Sequence, residues 1–170
     1  MSATALLLQQ YREAHSRLEQ TLEGVTDELA HWLPPGNANP IGAGYVHTLV
    51  GEDFIINAIL QNQPPKLTAT WMGKAGFTEP PPAGPEWTDW SRRVQVDMET
   101  VRRYAKDVYA AAETYLAAID DAELDREREF MRSGRQMASQ ILNDLVMHIH
   151  EHTGEIACLK GMQGGRGYPD

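Results

Sequence analysis

The apolar residues Val94, Met98, Val101, Ala105, Val108, Ala112, Leu116 and Ile119 succeed one another at steps of three and four. That rhythm puts one side chain per turn on a single stripe of an α-helix, whereas a strand alternates at every second position. Thr88-Asp89 supplies a start signal ahead of the row. The pattern predicts one long amphipathic helix, and such a helix must lay its stripe against others.

Three further segments share the period. The first carries Leu7, Tyr11, Ala14, Leu18, Leu22 and Val25. The second opens at "NANPIG", with Asn39 expected as N-cap and Pro40 as the first helical residue, and runs to about Gln61, where "NQPP" stops it. The fourth starts between Ser133 and Ser139 and ends near Gly161; the glycine-rich tail after it, from about residue 163, is expected to be loosely ordered. Residues 26–32 add a short turn capped by Thr26. No stretch alternates convincingly at a period of two, and there is no internal repeat. The expected fold is all-α: residues 1–170 as a single four-helix-bundle domain.

Between the second and third helices, residues 64–87 form a connection unusually long for a compact domain. They include Trp71, Phe77 and Trp87, which a solvated linker rarely carries. The loop is expected to pack on the bundle, over a pocket or a subunit interface.

The formal net charge is −9, from 15 Lys plus Arg against 24 Asp plus Glu. That balance argues against nucleic-acid or anionic-membrane binding, which needs clustered positive charge. The one cysteine, Cys158, has no partner for an intramolecular disulfide, which fits a reducing compartment. No signal peptide and no membrane-spanning run is present, so a soluble cytoplasmic protein is expected.

The stretch "MHIHEHTGEI" concentrates the polar chemistry. Each helical residue turns the chain by roughly 100°, so His148 and His152 lie within roughly 40° of each other, while His150 is roughly 200° from His148. The pair shares its stripe with Ile141, Leu145, Ile156 and Leu159. Two imidazoles one turn apart can direct nitrogens at one metal ion, or be ordinary hydrogen-bonded histidines. Two metal motifs are absent: Ile149, not Glu, follows His148, so there is no HExxH, and only Glu28-Leu-Ala-His31 has the Glu-x-x-His form that a di-metal bundle needs twice. His47 on the second helix sits among Ala43, Gly44, Val50, Gly51 and Phe54, mostly small residues that leave room near the bundle axis. His15 lacks such a setting, and His31 is expected to be structural or exposed. Cys158 lies off the histidine stripe and is expected to be a packing residue.

"NPIGAGYVHTLVGEDFIINAIL" and the later "LVMHIHEHTGEIACLKG" resemble the DinB/YfiT-like superfamily, damage-inducible helical-bundle proteins. The likeness covers most of the chain in helix order and length. Its specific part is one His early in the second helix and H-x-x-x-H-x-G-[QE]-[IL] in the fourth. It implies one divalent metal held by His47, His148 and His152, with Gly154-Glu155 matching the turn after the last ligand and His150 and Glu151 at variable positions.

Three imidazoles with no fourth protein ligand imply open coordination positions, as at catalytic metals. Zinc or nickel comes first, with iron, cobalt or manganese compatible. No side chain is assigned as catalytic; the reactive group implied is water on the metal. Asp144 and Glu155, one turn either side of the pair, are the carboxylates expected to hold the ligand rings. The resemblance implies a metal-dependent enzyme acting on a small-molecule substrate, either a transferase or isomerase using a low-molecular-weight thiol or a hydrolase. The alternative is a non-catalytic metal- or small-molecule-binding stress-response bundle. Metal binding is expected to weaken as pH falls through the histidine range. Leu142, Val146, Met147 and Ile149 make the fourth helix apolar nearly all round, which predicts a homodimer.

Overall fold

A computed structural model describes residues 2–130 and 134–169. Ser2 starts the first helix, its hydroxyl accepting the amide of Ala5, and α1 runs Ala3–Thr21 with Tyr11, Ala14 and Leu18 buried along it. Thr26 accepts the amide of Leu29 and so caps the short α2, Asp27–His31, as its sequence predicts.

The second long helix, α3, Ile41–Asp53, begins one residue later than expected. Pro40, in extended conformation, is the N-cap. Asn39 does not cap; its Oδ1 accepts the Ser91 hydroxyl at 3.0 Å. After Asp53 the helix widens into a π-helical segment, Phe54–Leu60, and ends at Gln61. The change coincides with a buried carboxylate that has other obligations. Asp53 accepts the Asn57 side-chain amide at 2.8 Å, the amides of Lys66 and Leu67 at 2.7 and 2.8 Å, and the Tyr104 hydroxyl at 2.7 Å. Those four donors satisfy a charge that would otherwise be costly in the interior. They also pin the start of the long connection, where α4 forms over Lys66–Ala69.

The stretch predicted as one helix, from Thr88-Asp89 to Ile119, does not make one helix. It divides into α5, Trp87–Arg93, and α6, Met98–Ala118. Val94 and Val96 lie in an extended break between them: Val96 pairs antiparallel with Phe77, and its amide donates to His31 Nε2 at 2.8 Å. Asp97 then caps α6 by accepting the amides of Glu99 and Thr100. Val94, Val96 and Met98 are all buried. Read at a step of two they are a strand signal, while the step of four from Val94 to Met98 mimics a helix.

A second departure follows α6. After α7, Asp121–Leu124, the strands β1, Glu127–Phe130, and β2, Gly134–Met137, pair as an antiparallel hairpin. The fold is mostly helical, as expected of an all-α class, with this one small hairpin among the described residues as an addition that the sequence pattern did not anticipate. The hairpin's alternation is hidden because its faces are marked by burial and ion pairing more than by apolar residues. Arg135 bridges Glu127 and Glu129, while Phe130 packs on the core.

The last helix, α8, spans Ala138–Met162, within the expected window; Ser133 is outside the described residues. α1 packs against α6 and α8, and α3 packs against the same two. Leu142, Val146 and Ile149 are buried within this one chain, and Met147 alone of that set is exposed. The apolar circumference of α8 is thus covered mainly by the chain's own helices. The glycine-rich tail folds back along α8: Gly165 donates to the Lys160 carbonyl, and a Cβ on Gly167 would meet the Ala157 carbonyl oxygen at 2.8 Å. No described helix is long and apolar enough to cross a membrane.

Candidate metal centre

α3 delivers His47, and α8 delivers His148 and His152 one turn apart. The two helices meet one turn beyond His47, where a Cβ on Gly51 would lie in ordinary contact, 3.8 Å, with His148 Cε1. The three rings meet edge to face, with centroids 5.0, 5.0 and 4.5 Å apart. His148 Nε2 is 3.1 Å from His47 Nε2 and 3.1 Å from His152 Nε2. All three side chains are half-buried, whereas His150 is exposed on another face of α8. The helical-wheel division into a convergent pair and a bystander matches this placement.

The protons available do not suit three imidazoles facing one another. His152 Nδ1 is 2.7 Å from Glu155 Oε2; a carboxylate only accepts, so Nδ1 carries the proton and His152 Nε2 presents a bare lone pair. A neutral His148 has one N–H for two neighbours at Nε2 and for Nδ1, which is buried without a partner among the described residues. Whichever tautomer it adopts, lone pairs or N–H groups are left unmatched. A cation at the point shared by the three Nε2 atoms would accept all three lone pairs and leave His148 Nδ1–H as the buried ring N–H of the three without a partner among the described residues.

Charge regulation points the same way. Burial, then the neighbouring His148 and His152, lowers the His47 pKa to about 3. Burial, then His152, lowers that of His148 to about 4. Both rings are neutral at pH 7, as metal ligands must be. The spacing also fits: two nitrogens roughly 2.05 Å from one ion at the tetrahedral angle lie roughly 3.3 Å apart, close to the observed 3.1 Å. Among the described residues the convergent group of possible ligands is His47, His148 and His152, with no carboxylate or thiolate in it.

The other residues singled out from the sequence separate clearly. Glu155 is at the site, holding His152. Asp144 is not brought to it: the side chain is exposed, and its carboxylate accepts from neighbouring Asn143 at 3.4 Å. Cys158 is exposed and not a packing residue. His31 is structural, as the acceptor of the Val96 amide. At the end of the long connection Trp87 reaches the site, its ring centroid 4.5 Å from that of His47. Trp71 and Phe77 instead pack edge-on to Tyr104.

Sequence reasoning passed over His15, which is buried with its Nε2 2.9 Å from Glu52 Oε1 and its ring stacked on Tyr109 at 4.0 Å. The available signal was the pair Glu52-Asp53 in the middle of an otherwise apolar helix, since buried carboxylates must find donors on other elements.

With this geometry in place, the chain can be set beside known proteins. The family model of the DinB superfamily matches residues 10–156. The chain belongs to the DinB superfamily. The match spans all three convergent histidines. A conserved protein from Enterococcus faecalis, known from a crystal structure, superposes on this DinB chain with a TM-score of 0.80 at 21% sequence identity. The alignment covers 94% of this chain and 96% of that one, which establishes the likeness of fold. No curated protein matches the chain.

Proposed function

We propose that this DinB protein is a divalent-metal-dependent enzyme, a thiol-dependent S-transferase or a hydrolase, built on a four-helix bundle and working in the cytoplasm. The observation that carries the reading is the meeting of three Nε2 atoms with no fourth His, Cys, Asp or Glu in the group among the described residues. A bound ion, zinc or nickel first, would keep positions for exogenous groups and supply Lewis acidity that makes water or a small thiol more acidic.

The chain's own residues have separate tasks. His47, His148 and His152 hold the ion. Glu155 accepts the Nδ1 proton of His152, which fixes that ring's tautomer and turns its Nε2 lone pair inward.

The test is a metal-loaded turnover screen. Chelator-stripped protein is reloaded with zinc or nickel and offered low-molecular-weight thiols with electrophiles, and separately ester and amide substrates. Metal-dependent turnover that disappears in His148→Ala is expected. A fully metal-loaded protein inert toward every class would favour a binding function.

A further inference from the structure

The three proposed ligands are oriented by unlike means. His152 is held by the Glu155 carboxylate, and His148 is enclosed with its Nδ1 buried. His47 forms no hydrogen bond through Nδ1 among the described residues, and what lies against it is Trp87, ring centroids 4.5 Å apart at 59°.

Trp87 is itself placed by ring packing. It leans on Trp90, centroids 4.8 Å apart at 31°, from the same face of α5 one turn on. Trp90 is fully buried and fixed by donating Nε1 to the Glu79 carbonyl at 3.1 Å. α5 is bound to the segment preceding α3 through Ser91 to Asn39 and Arg92 to the Gly36 carbonyl. A row of tilted ring contacts therefore runs from the core through Trp90 and Trp87 to His47. Trp71 belongs to a different arrangement, with its Nε1 donating to Asp107 at 2.8 Å. Trp87 donates no hydrogen bond among the described residues; it is held by packing, against the hydrophobic core and against the rings of Trp90 and His47.

We propose that Trp87 is the positioning residue of His47. Its ring fixes the imidazole plane so that Nε2 stays on the point shared with His148 and His152, and it covers that edge of the site against water. The inference rests on the metal reading, because an orientation of Nε2 matters only if something binds there.

The experiment uses the full chain stripped of metal and titrated with nickel(II). Elemental analysis gives uptake, competition with a chromophoric chelator gives affinity and release rate, and tryptophan emission reports the distance to an open-shell ion. In the parent, binding should quench emission strongly. Trp87→Phe keeps a ring against His47, so it should retain the parent's affinity while losing most of the quench; Trp71→Phe should keep both. Trp87→Ala should bind roughly tenfold more weakly, the lower end of what losing a ligand-orienting partner costs, and release nickel faster at a temperature where the variant is still fully folded. Parent-like affinity and release in Trp87→Ala would overturn the positioning role while leaving the metal site standing. The same holds if Trp87→Phe is as weak as Trp87→Ala. A parent that takes up no nickel by elemental analysis would overturn the metal reading, and this inference with it.

Discussion

His15 and His148 are both packed between helices, and each has a buried Nδ1 without a partner among the described residues. They differ in what faces Nε2. For His15 it is a carboxylate, Glu52 Oε1 at 2.9 Å, in a pair whose side chains are 6% and 0% exposed. For His148 it is two other imidazoles, each at 3.1 Å. A carboxylate accepts a proton that the ring offers at Nε2, so that contact is matched, although Glu52 Oε2 is itself buried without a partner among the described residues. Imidazole facing imidazole leaves lone pairs without donors, so the second arrangement invites a cation. Burial of histidine is therefore not the mark of this site; the chemistry of the facing partner is.

The widest way to separate the two regions is to truncate one ring at a time. His15→Ala leaves the Glu52 carboxylate buried and uncompensated, which should cost roughly 3 kcal/mol of stability in urea denaturation. Its metal uptake should be unchanged. His148→Ala should do the reverse, abolishing uptake while leaving the metal-free chain about as stable as the parent. If both variants lose metal, or both lose stability equally, the two histidines are not in distinct roles.

A smaller effect is expected at the carboxylate that does serve the metal site. Glu155→Ala removes the acceptor of the His152 Nδ1 proton and should weaken metal binding roughly tenfold. Asp53→Asn, by contrast, should disturb the start of the long connection and leave affinity untouched, because among the described residues the Asp53 carboxylate accepts from the Lys66 and Leu67 amides, Asn57 and Tyr104 and from none of the three histidines. Chelator competition on the two variants checks this.

The pH dependence sharpens the contrast further. Unfolded histidines take up protons near about 6.5, but in the folded chain His47 does so at about 3 and His148 at about 4. Between those values the unfolded chain binds more protons, so metal-free stability falls as pH falls through that window and is fully present above it. Urea midpoints at descending pH should show the decline, and His148→Ala should flatten it. Protons should displace metal from these two rings only toward pH 4, more acid than the ordinary histidine range suggests. The smallest effect belongs to the exposed residues: His150→Ala and Asp144→Ala should match the parent in uptake and stability.

Much of this was legible in the chain. A spacing of four on an amphipathic helix fixed which two of the three clustered histidines point together, and Gly51 near His47 marked where another helix meets α3. Asp144 was misplaced because helical spacing gives proximity along α8, whereas the cluster is completed across to α3. His15 and Glu52 were missed because their pairing joins α1 to α3, and no local period encodes a contact between helices. The broken helix at residues 94–97 shows the same limit: Val94, Val96 and Met98 satisfy two periods at once, and only the Phe77 partner and the Asp97 cap decide between them.

On the proposed function, His47, His148 and His152 converge to hold a metal ion. Elemental analysis of protein purified without chelator, on the parent and on His47→Ala, His148→Ala, His152→Ala, His15→Ala and His150→Ala, tests it most directly. The account predicts one divalent ion per chain in the parent and in the His15 and His150 variants, and essentially none in the other three. A parent that cannot be loaded, or a His148→Ala protein that keeps its full metal content, would contradict it.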